Sequence, residues 1–181
     1  MKTLTLLRHA KSTWDDPIAR DFDRPLNQRG RRAAQTVGRE MRAQKLVFDT
    51  VLASPAVRVM ETLAEIEAGY GQSLDPHYDE RIYLASPDTL VELIHGAEDA
   101  VSRLLIVGHN PGLERLVLLL TRPGADALRG EVEVKYPTAT LAEIALPVAR
   151  WSEVGEGTGS LTRFIRPRDL DPELGPDESG F

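Results

Sequence analysis

The chain has 181 residues, no cysteine and a net charge of −6 at neutral pH. Its length is that of one domain, and the lack of thiols excludes disulfides, thiolate metal sites and a cysteine nucleophile. The acidic balance argues against nonspecific nucleic-acid binding, which needs a basic face.

The first apolar run, Leu4-Thr5-Leu6-Leu7, is short and β-prone, and it stops at Arg8-His9. It predicts a buried strand with both polar residues beyond its carboxyl end, where open α/β sheets bind ligands. A guanidinium beside an imidazole suits a phosphoryl group, because arginine can clamp the oxygens while histidine attacks phosphorus. Taken alone, the pair reads better as a surface Arg-His at a strand end. Trp14 to Pro25 is expected to be a polar loop, and Asn27 to cap a helix running to about Met41. That helix has an inner stripe of Ala33, Ala34, Val37 and Met41; its arginines (Arg29, Arg31, Arg32, Arg39, Arg42) read as a solvated face, or alternatively as a rim drawing in acidic partners.

Thr50-Val51-Leu52-Ala53 predicts a second strand, with Ser54 as N-cap and Pro55 as first residue of a helix ending near Gly69-Tyr70-Gly71. Arg58 lies one turn into it, able to reach an anion at the helix N-terminus. His77 falls in a polar loop, and Ser86-Pro87 starts a helix that buries Leu90, Leu93 and Ile94, with His95 near its end. Leu105-Ile106-Val107-Gly108 is another buried strand, with His109 at its junction to a helix capped by Asn110 and opened by Pro111. Three junctions of one type thus deliver Arg8, His9, Arg58 and His109. Thr140 to Leu146 and Leu161 to Ile165 alternate like a hairpin. From residue 167 to 181, three prolines and an excess of acids predict an irregular or disordered tail beyond a domain of residues 1–166.

The segments Leu7-Arg8-His9-Ala10-Lys11-Ser12, Ser54-Pro55-Ala56-Val57-Arg58 with Glu61-Thr62, Asp79-Glu80-Arg81-Ile82-Tyr83 and Val107-Gly108-His109-Asn110-Pro111 resemble the signatures of the histidine phosphatase superfamily, which includes the phosphoglycerate mutases. Ala10-Lys11, where mutases carry Gly-Glu, resembles the SixA-type phosphohistidine phosphatases, as does Asp23-Arg24-Pro25-Leu26 before Gly30. The resemblance implies a phosphoglycerate mutase-like α/β fold, a three-layer α/β/α sandwich with a mostly parallel sheet and an antiparallel strand at an edge. The alternation of strands and helices fits it independently.

It also implies a phosphatase in which His9 forms a covalent phosphohistidine. Arg8, Arg58 and a protonated His109 would hold the phosphoryl oxygens. Asn110 would assist through its amide or backbone N–H and Lys11 and Ser12 would line the rim, or else all three serve as loop and capping residues. Glu80 matches the position of a general acid, with pairing to Arg81 as the bland alternative. Only 29 residues separate Glu80 from His109, too few for the insertions that cover mutase sites. An open pocket suits a phosphorylated protein side chain better than a small phosphate ester. A small-molecule phosphatase would share every residue; a mutase and a non-catalytic phospho-binding module are further alternatives. No metal or other cofactor is expected, and no carboxylate or paired-histidine motif suggests one. No apolar run approaches the ~18 residues of a membrane helix, and the first is too short for a signal peptide. The expectation is a cytoplasmic monomer with no nucleic-acid or membrane partner.

Overall fold

A computed structural model describes residues 1–17, 20–124 and 127–175. Six strands form one sheet: β1 (Lys2–Arg8), β2 (Thr50–Ala53), β3 (His77–Tyr78), β4 (Arg103–Gly108), β5 (Leu141–Leu146) and β6 (Ser160–Ile165), in the order β3-β2-β4-β1-β5-β6. The first four are parallel, and β5 runs antiparallel to both β1 and β6. The expected sandwich is therefore present, with one difference: the antiparallel strand lies one place in from the edge. The hairpin that supplies it brings β6 along as the outermost strand.

The period-two alternation of the central strands builds two cores. Leu4, Leu6, Leu104, Ile106 and Ile144 face one side, under α3 (Pro87–His95) and α4 (Gly112–Leu120). Leu7, Leu105, Val107, Val51 and Leu141 face the other, under α1 (Gln28–Ala43) and α2 (Val57–Tyr70). Burying each of these side chains stabilises the fold by ~1.5–3 kcal/mol, so truncating Ile106 at the sheet centre is expected to cost ~2–5 kcal/mol. The inner stripe predicted for α1 is buried as expected, and the Asn27 side chain caps the helix by accepting from Gly30 N at 2.7 Å. No helix among the described residues is long and apolar enough to cross a membrane.

Three local expectations need correction. His77 and Tyr78 pair with Leu52 and Ala53 as an edge strand rather than a loop. Between α4 and β5 lies an unforeseen helix, α5 (Ala127–Val134), tied to α4 by Arg129, whose Nε donates to Thr121 Oγ1 at 3.0 Å. And the first part of the acidic tail is not irregular. Pro167–Leu170 forms α6, and Leu174, 8% exposed, packs into the core beside α1. Arg32 of α1 pairs with Asp171 and Glu173, both at 2.7 Å. Arg31 meets Glu61 and Glu65 of α2, so much of the arginine face is neutralised from within. Composition alone cannot see charges matched across such sequence distances. Asp177 and Glu178 lie outside the described residues.

Candidate active site

The carboxyl ends of β1, β4 and β2 lie side by side, joined beyond the strands by His9 N to Gly108 O and Ser54 N to Val107 O, each 3.0 Å. This register brings His9, His109, Arg8 and Arg58 together. The imidazole centroids of His9 and His109 are 5.3 Å apart, and both rings are buried, at 7% and 3% exposure.

Nδ1 of His9 lies 2.6 Å from the Ala10 carbonyl oxygen. A carbonyl only accepts, so Nδ1 carries the proton and the lone pair of neutral His9 sits on Nε2. Burial, with Arg8, His109 and Arg58 nearby, pushes the imidazole well below its ordinary value, against the opposing effect of the Ala10 bond. Ala10 is itself held: its N–H donates to Thr62 Oγ1 at 2.9 Å, while that hydroxyl donates to Arg58 O at 2.6 Å.

His109 departs from expectation. Its Nδ1 lies 3.3 Å from Arg58 Nη2, a nitrogen that can only donate, so the ring's proton is on Nε2, which donates to Ser54 Oγ at 2.8 Å. Burial, then the charges of Arg58, Arg8 and Arg24, against the opposing charge of Asp21, hold it at about 3. His109 is neutral, because it is dry and ringed by guanidinium groups. A phosphoryl dianion beside it would act in the opposite sense. The same Ser54 hydroxyl accepts from Ala56 N at 3.2 Å, a local capping bond, although α2 itself starts only at Val57.

Arg58, 1% exposed, donates from Nη1 to Asp21 O at 2.7 Å and from Nη2 to Asp21 Oδ2 at 3.0 Å. Arg8 donates from Nη1 to Tyr136 O at 2.9 Å. The Nε–H of each arginine is buried with no hydrogen-bond partner. An unsatisfied buried donor costs ~1–3 kcal/mol, more for a charged group, which oxyanion acceptors would offset.

The remaining expected residues are in less direct positions. Asn110 precedes α4, which starts one residue later than expected; its Oδ1 accepts from Glu114 N (3.2 Å), and its Nδ2 donates to the Tyr136 carbonyl that also holds Arg8 (3.0 Å). Both ends of the amide are engaged. Ser12 is buried, its hydroxyl accepting from Arg24 Nη1 at 2.6 Å. Lys11 is lowered by partial burial and by the charges of Arg29 and Lys135, which places it on a basic stretch of rim. Its backbone lies against α1: a Cβ on Gly30 would come within 2.2 Å of Lys11 O, so only glycine allows this approach. Glu80 starts a short 3-10 turn (Glu80–Ile82). Its carboxylate is exposed and takes no hydrogen bond or ion pair among the described residues. Arg81 pairs with Asp79 at 2.7 Å, so the bland expectation of a Glu80–Arg81 pair does not hold. Beyond the turn the chain packs closely on α4, where a Cβ on Gly112 would meet Ala85 O at 2.1 Å.

Sequence reasoning missed Asp21, Tyr83 and the mounting role of Thr62. Asp21 accepts from Arg58, from Arg24 and from the Tyr83 hydroxyl. Burial alone would raise its carboxyl, but the bonds from Tyr83, Arg58 and Arg24 outweigh it and hold it at about 2. Tyr83 sets its ring edge-on to His109, 5.4 Å between centroids. Arg24 lies 3.4 Å over the ring of exposed Trp14. A single acid in a mixed-charge loop gives no signal in sequence that it reaches an arginine 37 residues on.

The model of the histidine phosphatase superfamily (branch 1) matches residues 4–83. An uncharacterized protein of Mycobacterium tuberculosis is 39% identical over 164 residues, 90% of this chain and 100% of its own. The chain belongs to the histidine phosphatase superfamily. Its resemblance to the SixA type extends to the fold. The proposed phosphohistidine phosphatase SixA of Agrobacterium tumefaciens superposes with a TM-score of 0.76 at 29% identity, covering 92% of this chain and 98% of that one. A protein histidine phosphatase SixA complexed with tungstate gives 0.74 at 22% identity, covering 93% and 99%, which bears on the fold alone. Membership supports phosphatase activity for this histidine phosphatase.

Proposed function

We propose that this histidine phosphatase removes the phosphoryl group from phosphohistidine on a protein, in two steps through a covalent intermediate on His9. The observation that carries the reading is the bond from His9 Nδ1 to Ala10 O, which leaves Nε2 with a lone pair among buried guanidinium groups. In the first step that lone pair forms a bond to phosphorus. The substrate P–N bond breaks, and the departing imidazole keeps the electron pair and takes a proton. In the second step water attacks the phosphorus on His9, releasing inorganic phosphate and restoring Nε2. Arg8 and Arg58 stabilise the equatorial oxygens through both steps, and His109 joins them as a donor once the dianion has raised its proton affinity.

Two features favour phosphohistidine over a phosphate ester. The chain between Glu80 and His109 is taken up by the 3-10 turn, α3 and β4, with no room for an inserted cover. And Glu80, the position expected of a proton donor, is exposed, and its carboxylate takes no hydrogen bond or ion pair among the described residues. Imidazole leaves readily without such help, whereas an alkoxide does not. The test is side-by-side kinetics on a phosphohistidine protein, a phosphoserine peptide and a panel of small monoesters. The highest kcat/KM is expected on the phosphohistidine protein; a much higher value on any small monoester overturns the substrate assignment in favour of a metabolite phosphatase.

A further inference from the structure

We propose that Asp21 is a positioning residue of this active site, acting on phosphoryl transfer through Arg58; the inference rests on the phosphatase reading above. Arg58 has five N–H donors. Three are engaged within the protein: one on Nη1 with Asp21 O, one on Nη2 with Asp21 Oδ2, and one on Nη2 with His109 Nδ1. Two of those three bonds go to a single residue, and they hold both terminal nitrogens at once, so the guanidinium plane cannot turn about its stem. What remains for the substrate is Nε–H, buried and without a partner, and the second hydrogen of Nη1.

Asp21 can impose this because it is itself fixed from two other directions. Its Oδ1 lies 3.0 Å from Arg24 Nη2, and Arg24 is anchored on the Ser12 hydroxyl and the Trp14 ring. Its Oδ2 takes the Tyr83 hydroxyl, from the segment that also sets a ring against His109. The carboxylate thus joins the loop after His9, the segment after Glu80 and the clamp arginine of α2. It offers the substrate no donor of its own, and its negative charge opposes ground-state binding of an anion. Its contribution is to the aim of Arg58, which matters most where the phosphoryl oxygens are fully developed as charge.

The experiment is a double-mutant cycle with Asp21→Asn and Arg58→Lys, read by single-turnover phosphoenzyme formation and by steady-state kinetics on phosphohistidine protein and on free phosphohistidine. Asp21→Asn is expected to lower kcat by about tenfold to a hundredfold, as for a group misplaced by up to ~1 Å. KM and the inhibition constant of inorganic phosphate are expected to stay within about threefold, a split that general loosening of the fold does not give. In the Arg58→Lys background the same change is expected to cost less than about threefold, because the interaction it removes is already gone. Thermal unfolding of each variant is followed in parallel. If Asp21→Asn does not fold, Asp21→Glu, which keeps the charge but displaces it, takes its place with the same expectation. Losses that multiply across the cycle, in a wild-type enzyme that is active, overturn the role of Asp21 alone. A wild-type enzyme that turns over no phosphoryl donor overturns the functional reading itself.

Discussion

The carbonyl of Ala10 lies 2.6 Å from Nδ1 of His9, and a backbone oxygen one residue away thereby decides which nitrogen of the neutral imidazole keeps its lone pair. The arrangement needs no second side chain to set the tautomer. The first prediction follows directly. Quenching under non-acidic conditions with a labelled substrate is expected to trap a phosphoryl group on His9 that is labile to acid and stable to alkali. His9→Ala is expected to lose both the label and turnover; label retained by that variant would remove His9 from the proposed role.

Both site histidines favour the neutral form in the folded protein, His109 down to about 3 and His9 well below its ordinary value, burial being the first cause in each. The unfolded chain therefore binds more protons than the native one as pH falls below ~6.5, and stability falls with it. For His109 the window runs from ~6.5 to about 3, with a limiting slope of ~1.4 kcal/mol per pH unit. Denaturant titrations between pH 7 and pH 4 are expected to show this decline, and His109→Gln to show a shallower one. Saturating phosphate is expected to flatten the wild-type curve, since the bound dianion lets His109 take up its proton. A wild-type stability independent of pH over this range would contradict the placement of both rings.

Thr62→Val keeps the shape of the side chain and removes its hydroxyl. The buried N–H of Ala10 then loses its acceptor, for an expected ~1–3 kcal/mol in unfolding free energy. Since Ala10 orients His9, kcat is expected to fall as well. A variant as stable and as active as the parent would show that the bridge is incidental.

The effect of Glu80→Gln is expected to depend on the leaving group. If Glu80 is the proton donor, an alkyl phosphate loses ~10²–10⁴-fold in kcat while phosphohistidine loses far less. Equal and small effects on the two substrates leave Glu80 as an exposed loop carboxylate.

Activity is expected to survive exhaustive chelation, because Arg8, Arg58 and, with substrate bound, His109 supply the positive charge that a divalent ion would otherwise bring. A large loss restored by magnesium, zinc or manganese would show that the site has been misread.

Strand-to-helix junctions made much of this legible in sequence. Leu4 to Leu7 and Leu105 to Val107 announce buried strands by composition, and Arg8, His9 and His109 follow at their ends, where the fold must put them. Arg58 was legible for the same reason, although it proves to be the second residue of the helix after β2 rather than one turn into it. What sequence left dark are contacts made side chain to side chain across long separations. Ser54 accepts from Ala56 N as its local chemistry suggests, but nothing local shows that its hydroxyl also bonds His109, 55 residues away. Asp171 and Glu173 look like part of a solvated tail until Arg32 of α1 is placed opposite them. The neutral state of His109 in the protein without substrate is not legible either, because local sequence carries no measure of dryness and burial dominates the shift.

The pairing of β1 on both sides bears on how the molecule moves. Arg8 N is bonded to Thr140 O, His9 N to Gly108 O, and Ala139 N to His9 O, all within 3.0 Å, so the residues at the strand end are stitched to both neighbouring strands. Amides in such a position exchange with solvent only when the centre of the sheet opens, at a free energy close to that of global unfolding. Loop residues around the site can fluctuate on fast timescales without disturbing them. Displacing the His9 backbone therefore means opening the sheet itself rather than local breathing, so the platform that carries the imidazole lasts as long as the native state.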